Sequence, residues 1–342
     1  MTAPGQIEIR DAPIPAPQPG EVLLRIRCIG VCGSDVHVYH GKHPYTIYPV
    51  IQGHEFSAVL EVLGEGVTGL KLGCKVTAVP QLVCSECAPC RRGDYHICDR
   101  LMVRGFQAPG CAQELWVTAA DKIVPLPDTF TFEQGALVEP IAVAVHAIAR
   151  AGKLSGRSVA VLGAGTIGNL VAQMARSAGA RVLITDLSDH RLEVAKRCGV
   201  EAISNAKEEA LAQASARVFG QEGFDVAFEC VGVEATMTAA VAVIQKGGTL
   251  VIVGVFREKP RLDLGLVQDR ELNLRGTLMY QRHDYERAVE LIASGNITTS
   301  PLLSKHFSMD NYVEAYRFID AQGDKSMKVF IDVGDLRHLG TK

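Results

Sequence analysis

The chain has 342 residues, 47% of them hydrophobic, with 35 Lys and Arg against 38 Asp and Glu, a formal net charge of -3. That length exceeds one typical core and predicts two domains, while the near-balanced charge excludes a general attraction for nucleic acid or an anionic membrane. No run reaches the roughly 18 apolar residues of a membrane span and Met1 to Arg10 lacks the apolar core of a signal peptide, so a cytoplasmic protein is expected, its 10 cysteines metal ligands, buried fillers or reduced thiols rather than disulfides.

Residues 1 to about 130 read as short strands broken by Gly and Pro. After the Pro-rich stretch Pro13 to Pro19, Glu21 to Arg27, Glu55 to Leu63 and Val76 to Pro80 each carry β-formers between turn signals. Between the first two lies Gly30-Val31-Cys32-Gly33-Ser34-Asp35-Val36-His37, and Gly53-His54-Glu55 opens the second. Singly these residues have ordinary explanations: Cys32 as a small core residue, His54 as a satisfied buried histidine, Glu55 as an exposed strand charge, Ser34 and His37 as turn and surface residues.

The next segment is more specific. Cys84, Cys87, Cys90 and Cys98 follow C-x2-C-x2-C-x7-C, a spacing that lets thiolates converge on one tetrahedral metal and close its shell. Unpaired surface thiols are the plain alternative, and a zinc ribbon would separate two Cys pairs by about 15 to 20 residues. Pro89 and Gly93, with Arg91, Arg92 and Asp94, place the run in an exposed loop. A site closed by four sulfurs braces structure and performs no chemistry.

Thr131 with Gln134 forms a capping-box pattern, and Ala142 to Ala149 reads as helix up to Gly152. Glu139-Pro140 is expected to interrupt the helix, because the residue before a proline is pushed out of the α region. From about 157 to 278 strands and helices alternate. Val159 to Leu162, Arg181 to Thr185, Asp225 to Glu229 and Thr249 to Val253 are largely apolar runs, as in a parallel sheet covered on both faces. Gly163-Ala164-Gly165-Thr166-Ile167-Gly168 follows the first of these strands and opens a helix, and the acidic Asp186 ends the next strand. Such a turn lets pyrophosphate approach the backbone at a helix N-terminus, and the acid accepts from an adenosine ribose while repelling a 2'-phosphate, favouring NAD over NADP. A glycine turn kept for packing is the alternative. Arg191 lies against the adenine or is a solvated charge, and Val231 and Gly232, with Val253 and Gly254, end two strands on the cofactor side, where they line a nicotinamide pocket or are ordinary strand ends. His146 fits no motif and reads as a core histidine. The helix Asp284 to Ser294 and the strand Met327 to Val333 look unlike further βαβ units and are assigned back to the first domain. The expected division is 1–142 with 279–342, and 143–278.

Taken together, Gly30 to His37, Gly53-His54-Glu55, the Cys84 to Cys98 loop, Ala136-Leu137-Val138-Glu139-Pro140 and Gly163 to Gly168 with Asp186 resemble the zinc-dependent medium-chain dehydrogenases, nearest the sorbitol and butanediol dehydrogenase branch. The resemblance covers essentially the whole chain. It implies an α/β protein: a GroES-like, mostly-β catalytic domain and a Rossmann-type doubly wound parallel sheet binding NAD. It implies two zinc ions per chain, one held by Cys84, Cys87, Cys90 and Cys98, the other by Cys32 and His54 with Glu55 and Glu139 completing or bordering the shell. Ser34 and His37 become a proton relay and Asp35 orients a ligand. The implied reaction moves hydride between a secondary alcohol (polyol, diol or sugar-derived) and NAD, giving a ketone, in a homodimer or homotetramer.

The chain departs from that branch at Val38, where a tyrosine is usual, and at Met279-Tyr280, where an Arg-Tyr pair faces the polyol. Those differences disfavour sorbitol itself. Cys74, in place of a turn aspartate, reads as drift. L-threonine 3-dehydrogenase-like oxidation of an amino alcohol shares zinc, NAD and fold and is the nearest alternative. A zinc-independent reductase would lack Cys32, His54 and Glu55, and a non-catalytic NAD-binding protein has no use for an open metal site.

Overall fold

The computed structural model describes residues 1–334. The described residues form two compact units: Met1–Glu139 with those from Leu303 to Gly334, and Pro140–Leu302.

The first unit is built on the strand Glu21–Val31, which pairs antiparallel with Glu55–Leu63, Leu115–Ala119 and Lys328–Asp332. Alternate side chains of a strand point to one face, and Val22, Leu24, Ile26 and, past an irregularity in register, Ile29 are all buried. Phe56, Ala58 and Leu60 of the adjacent strand join them in the core, where Trp116 meets Phe56 edge-on at 5.2 Å. The central strand runs past the expected Arg27 to Val31, so Cys32 lies immediately at its end, as the residue capping the helix Gly33–Tyr39. Register then aligns Gly30 with Glu55 on one side and with Phe330 on the other.

Thr131 caps the short helix Phe132–Ala136, its hydroxyl accepting from the Gln134 amide at 3.2 Å. The break that follows falls at Leu137, not at Glu139-Pro140: the next helix spans Val138–Ala151 and holds both residues in its first turn. Proline is tolerated there because the amide it lacks has no intrahelical partner in the first turn.

The second unit is a six-stranded parallel sheet. Numbering its strands within the unit as Ser158–Leu162, Arg181–Asp186, Ala202–Asn205, Val226–Glu229, Thr249–Ile252 and Asn273–Gly276, their order across the sheet is 3-2-1-4-5-6. This is the doubly wound dinucleotide-binding order, whose switch point lies beside the first strand. The third and sixth strands are short and carry polar residues, so their runs do not stand out from the flanking loops.

The helix Arg282–Ala293 belongs to this second unit, against the expectation that everything after 278 returns to the first. Loss of strand-helix alternation misled, because the helix still buries Tyr285, Ala288 and Leu291. Asp284 also accepts at 3.0 Å from Nδ1 of the buried His146, and the Gln173 carbonyl accepts from the Thr298 amide at 2.8 Å.

Gly53 sits at φ 91 just before His54, and Gly110 packs on it so closely that a Cβ at 110 would stand 2.3 Å from the Gly53 carbonyl oxygen and 2.4 Å from that of Gln52. Both obstacles are backbone and cannot rotate away. Gly110→Ala is therefore expected to destabilise the first unit by about 1–3 kcal/mol, read as a lowered unfolding midpoint; an unchanged midpoint would show that this contact can relax.

Candidate functional site

Two clusters of metal-ligating side chains occur among the described residues: Cys84, Cys87, Cys90 and Cys98, and Cys32, His54 and Glu55, with the ligand atoms in each within 4.8 Å of one another. They differ in kind.

In the first, Ser85 takes a left-handed φ of 62 and turns the chain back between Cys84 and Cys87. The sulfur separations are 3.5 Å for Cys98 to Cys84, 3.8 Å for Cys87 to Cys98 and 3.9 Å for Cys84 to Cys90. A tetrahedron with metal–sulfur bonds of about 2.3 Å has edges of about 3.8 Å, so the four sulfurs stand where a zinc ion requires them. The amides of Cys87 and Arg100 point at Sγ of Cys84 and Cys98, each at 3.3 Å, as suits thiolates.

The second cluster is assembled from the ends of strands. The central strand delivers Cys32, and the paired strand begins with His54-Glu55. His54 and Glu55 are buried, and Cys32 is partly so. His54 lies under the ring of Phe106, with centroids 4.8 Å apart, and its Nδ1 faces Asp35 Oδ1 at 3.6 Å. Neither of those two buried atoms has a hydrogen-bond partner. The other oxygen of Asp35 accepts from the Cys32 amide at 2.9 Å, and buried Gln52 donates to the Asp35 carbonyl while accepting from the Tyr316 hydroxyl at 2.8 Å. Asp35 is thus anchored from both sides, with its other oxygen facing His54.

Charge shows what this cluster is suited to hold. Burial would lower the His54 pKa, yet Asp35, Cys32 and Glu139 around it hold it well above its ordinary value. Burial pushes the Asp35 carboxyl up. The pocket therefore favours a cation where the donors converge, and a thiolate, an imidazole and a carboxylate form a donor set suited to zinc with a position left open.

Glu139 is buried in the first turn of its helix and acts electrostatically on both His54 and Lys328, but it falls outside the 4.8 Å set. Ser34 and His37 share one face of the helix Gly33–Tyr39 at i, i+3. Lys328, unmarked by any motif, proves to be part of the site: its Nζ donates to Glu55 at 2.8 and 2.6 Å. A lysine in the otherwise apolar run Val329-Phe330-Ile331 of a terminal strand is the sequence signal that points to it. Phe106 and Gln52 also escaped notice, since each lies in a loop without a pattern. Of the positions where the chain departs from the polyol branch, Val38 is fully buried and Met279 is partly so; Tyr280, which keeps the tyrosine, is fully buried and packs edge-on against Tyr285 at 5.0 Å.

In the second unit, Gly163 takes φ 99, and a Cβ on Gly168 would stand 1.9 Å from the Gly163 carbonyl oxygen, so the turn and the helix behind it require glycine at both. A Cβ on Gly165 would meet nothing, leaving open space over the N-terminus of the helix Thr166–Ser177, whose first turn carries Thr166 and Ile167. Asp186 accepts from the Ala164 amide at 2.7 Å and from the Ser188 amide at 2.9 Å. Arg191 lies in the first turn of the helix Asp189–Arg197. Glu229 draws the remaining strand ends together: its side chain accepts from the amides of Val231 and Gly232, and its carbonyl from those of Val253 and Gly254 at 2.8 Å.

Residues 18–128 match the alcohol dehydrogenase GroES-like domain, and residues 166–294 the zinc-binding dehydrogenase family. The chain is 37% identical to 2-dehydro-3-deoxy-L-galactonate 5-dehydrogenase of Pseudoalteromonas atlantica, over 91% of this chain and 92% of that one. It is 34% identical to sorbitol dehydrogenase of Homo sapiens, over 92% and 89%. Among solved structures, galactitol-1-phosphate dehydrogenase from Escherichia coli superposes with a TM-score of 0.90 at 29% identity, covering 97% and 98% of the two chains. For 2R,3R-butanediol dehydrogenase from Bacillus subtilis the values are 0.88 and 26%, over 97% and 98%.

Two substitutions separate the roles of these clusters. Cys87→Ser is expected to lower the zinc content by one ion per chain and the thermal midpoint with it; a variant with full zinc and unchanged stability would remove the brace. Asp186→Ala is expected to weaken NAD by roughly ten-fold or more and to relax discrimination against NADP, measured as the ratio of kcat/KM with the two cofactors; an unchanged ratio assigns ribose reading to another residue.

Proposed function

The chain belongs to the zinc-dependent medium-chain dehydrogenases, and from that premise we propose that it oxidises a secondary alcohol on a polyol, diol or sugar-derived chain to a ketone, with NAD as hydride acceptor. The observation that carries this reading is the convergence of Cys32, His54 and Glu55 in a chain that also holds the Gly163 to Gly168 turn. Cys32 and His54 would hold the catalytic zinc with a carboxylate from Glu55 or Glu139, and the four-cysteine loop would hold a second, structural zinc. When bound, the zinc supplies Lewis acidity at the alcohol oxygen and NAD supplies the acceptor for hydride.

The chain's own residues do the remaining work. Asp35 and Phe106 fix the His54 ring, one by charge and one by packing. Ser34 and His37, on the helix that Cys32 caps, take the proton that the alcohol gives up and pass it toward solvent. The turn from Gly163 receives the cofactor pyrophosphate, Asp186 its ribose, Arg191 its adenine, and Val231, Val253 and Gly254 line the nicotinamide.

The substrate reading rests on the relatives and on the departures together. The relatives act on sugar acids, polyols and diols by name, while this chain carries Val38 and Met279 where the sorbitol branch has a tyrosine and an arginine. A sugar-derived alcohol other than sorbitol is therefore the favoured substrate. We further infer a cytosolic homodimer or homotetramer: none of the ten cysteines is paired in a disulfide, and the strand Asn273–Gly276 lies at a sheet edge among the described residues, suited to a second copy.

NADH formation against xylitol, sorbitol, 2,3-butanediol, a sugar acid and threonine tests the assignment. Turnover of a hydroxylated chain but not of threonine is expected, and Cys32→Ser is expected to abolish it while NAD still binds. Turnover of threonine alone would transfer the chain to the amino-alcohol branch.

A further inference from the structure

The helix that Cys32 caps ends in a defined way. Gly41 takes a left-handed φ of 68, its amide donates to the Val38 carbonyl at 2.9 Å, and the Lys42 amide reaches back to the His37 carbonyl at 2.8 Å, the paired bonds of a Schellman motif. His43 follows at once, so its position is tied to the helix that carries Ser34 and His37. Three rings build on that point. His43 lies flat on Phe106, with centroids 4.6 Å apart and planes 14° from parallel, and the Phe106 ring also meets that of His54 at 4.8 Å. Phe106 is thus a spacer between the imidazole of the metal cluster and a second imidazole outside it. Thr46 holds the second one: its hydroxyl lies 2.7 Å from Nδ1, while Tyr45 meets the ring edge-on at 6.1 Å. The half-buried His43 keeps Nε2 without a protein partner among the described residues. Its polar neighbours in the chain are engaged, since the Tyr48 hydroxyl donates to the Val38 carbonyl and Gln52 is bonded to Asp35 and Tyr316.

We propose that His43 is a specificity-determining residue whose Nε2 binds a hydroxyl of the substrate, at the end of the carbon chain far from the carbon that is oxidised. This rests on the reaction proposed above. A chain whose reacting carbon sits at the Cys32 and His54 donors must pass Phe106 before it reaches His43, so a substrate of five or six carbons spans the two and a short diol does not. Burial, with the charges of His37 and His54, lowers the His43 pKa from its ordinary value. The ring is therefore neutral at pH 7, and Nε2 either donates or accepts according to which nitrogen carries the proton. A hydroxyl does both and suits it; a carboxylate would call for the imidazolium. Val38 and Met279 stand where the sorbitol branch has a tyrosine and an arginine, so the hold on a hydroxylated chain must come from another side chain. His43 supplies it from the first unit.

Initial-rate kinetics of the zinc-loaded, full-length protein with NAD test this, with xylitol, galactitol and gluconate as long hydroxylated chains, each read as its kcat/KM relative to that of 2,3-butanediol. His43→Phe keeps a ring on Phe106 and removes the nitrogen; it is expected to lower this ratio by roughly ten-fold or more, because a hydroxyl that loses its partner loses the discrimination that partner gave. His43→Gln, whose amide both donates and accepts, is expected to stay within about three-fold of the wild type, and Thr46→Val, which releases Nδ1, to fall between the two. A purely structural role for His43 would slow all substrates together and leave the ratio in place. That outcome overturns the proposal, as does a wild type that turns over 2,3-butanediol and none of the longer chains. If His43→Phe does not fold, His43→Ala and Thr46→Val decide the matter by the same ratio. Absence of any Cys32-dependent turnover of an alcohol would instead refute the reaction on which the proposal stands.

Discussion

Asp35, on the helix that Cys32 caps, and His54, Glu55 and Lys328, at the ends of paired strands, are buried beside Cys32, and an ion moved from water into a protein interior loses several kcal/mol of solvation unless partners replace it. The surrounding chain is arranged to supply them. Lys328 meets Glu55, Asp35 faces His54, the Cys32 amide and Gln52 hold Asp35, and Gly30 leaves the space that the Glu55 carboxylate occupies. Removing one member of a buried pair leaves the other uncompensated, typically at a cost of about 3–5 kcal/mol. The cluster is thus a stability constraint on the strands as well as a site, and the register that places Gly30 opposite Glu55 has little freedom to slip.

The two metal clusters divide their labour by closure. Four sulfurs at the corners of one tetrahedron leave no position for another ligand, so an ion there can only tie a loop together. The Cys32 cluster has mixed donors and a surplus of surrounding negative charge, which binds a cation while leaving it incompletely surrounded. A cysteine spacing announces the first because its ligands are close in sequence. The second draws its ligands from the ends of separate strands, and only the fold unites them.

That contrast explains what could be read from the sequence. The parallel strands, the glycine turn and the capping box at Thr131 are local signals, and each reports on residues within a few positions of itself. Cys32, His54 and Glu55 had ordinary readings one at a time and stood out only through the resemblance of the whole chain. Lys328 left only one mark in the sequence, a lysine opening an apolar strand, and its role stayed hidden because its partner is 273 residues away and a strand lysine is usually solvated. The misplaced helix break and the misassigned helix Arg282–Ala293 share one origin. Both took a local signal, a proline in one case and the end of an alternating pattern in the other, as a tertiary boundary, whereas burial of a helix face decides where a unit ends.

Asp186 illustrates how tightly recognition and folding are joined in the second unit. Its carboxylate accepts from the Ala164 amide, inside the glycine turn, and from the Ser188 amide, just before the next helix. An ionised carboxylate has about four lone-pair sites, so these two bonds leave room for a ribose diol while fixing the side chain that would meet it. In the proposed role, the residue that reads the ribose also holds the backbone that receives the pyrophosphate. A neutral replacement would release an amide within the turn as well as a charge beyond it. Adapting such a site to NADP therefore requires more than removing the acid: the turn must find another acceptor for Ala164 before a cation placed nearby can act on the 2'-phosphate.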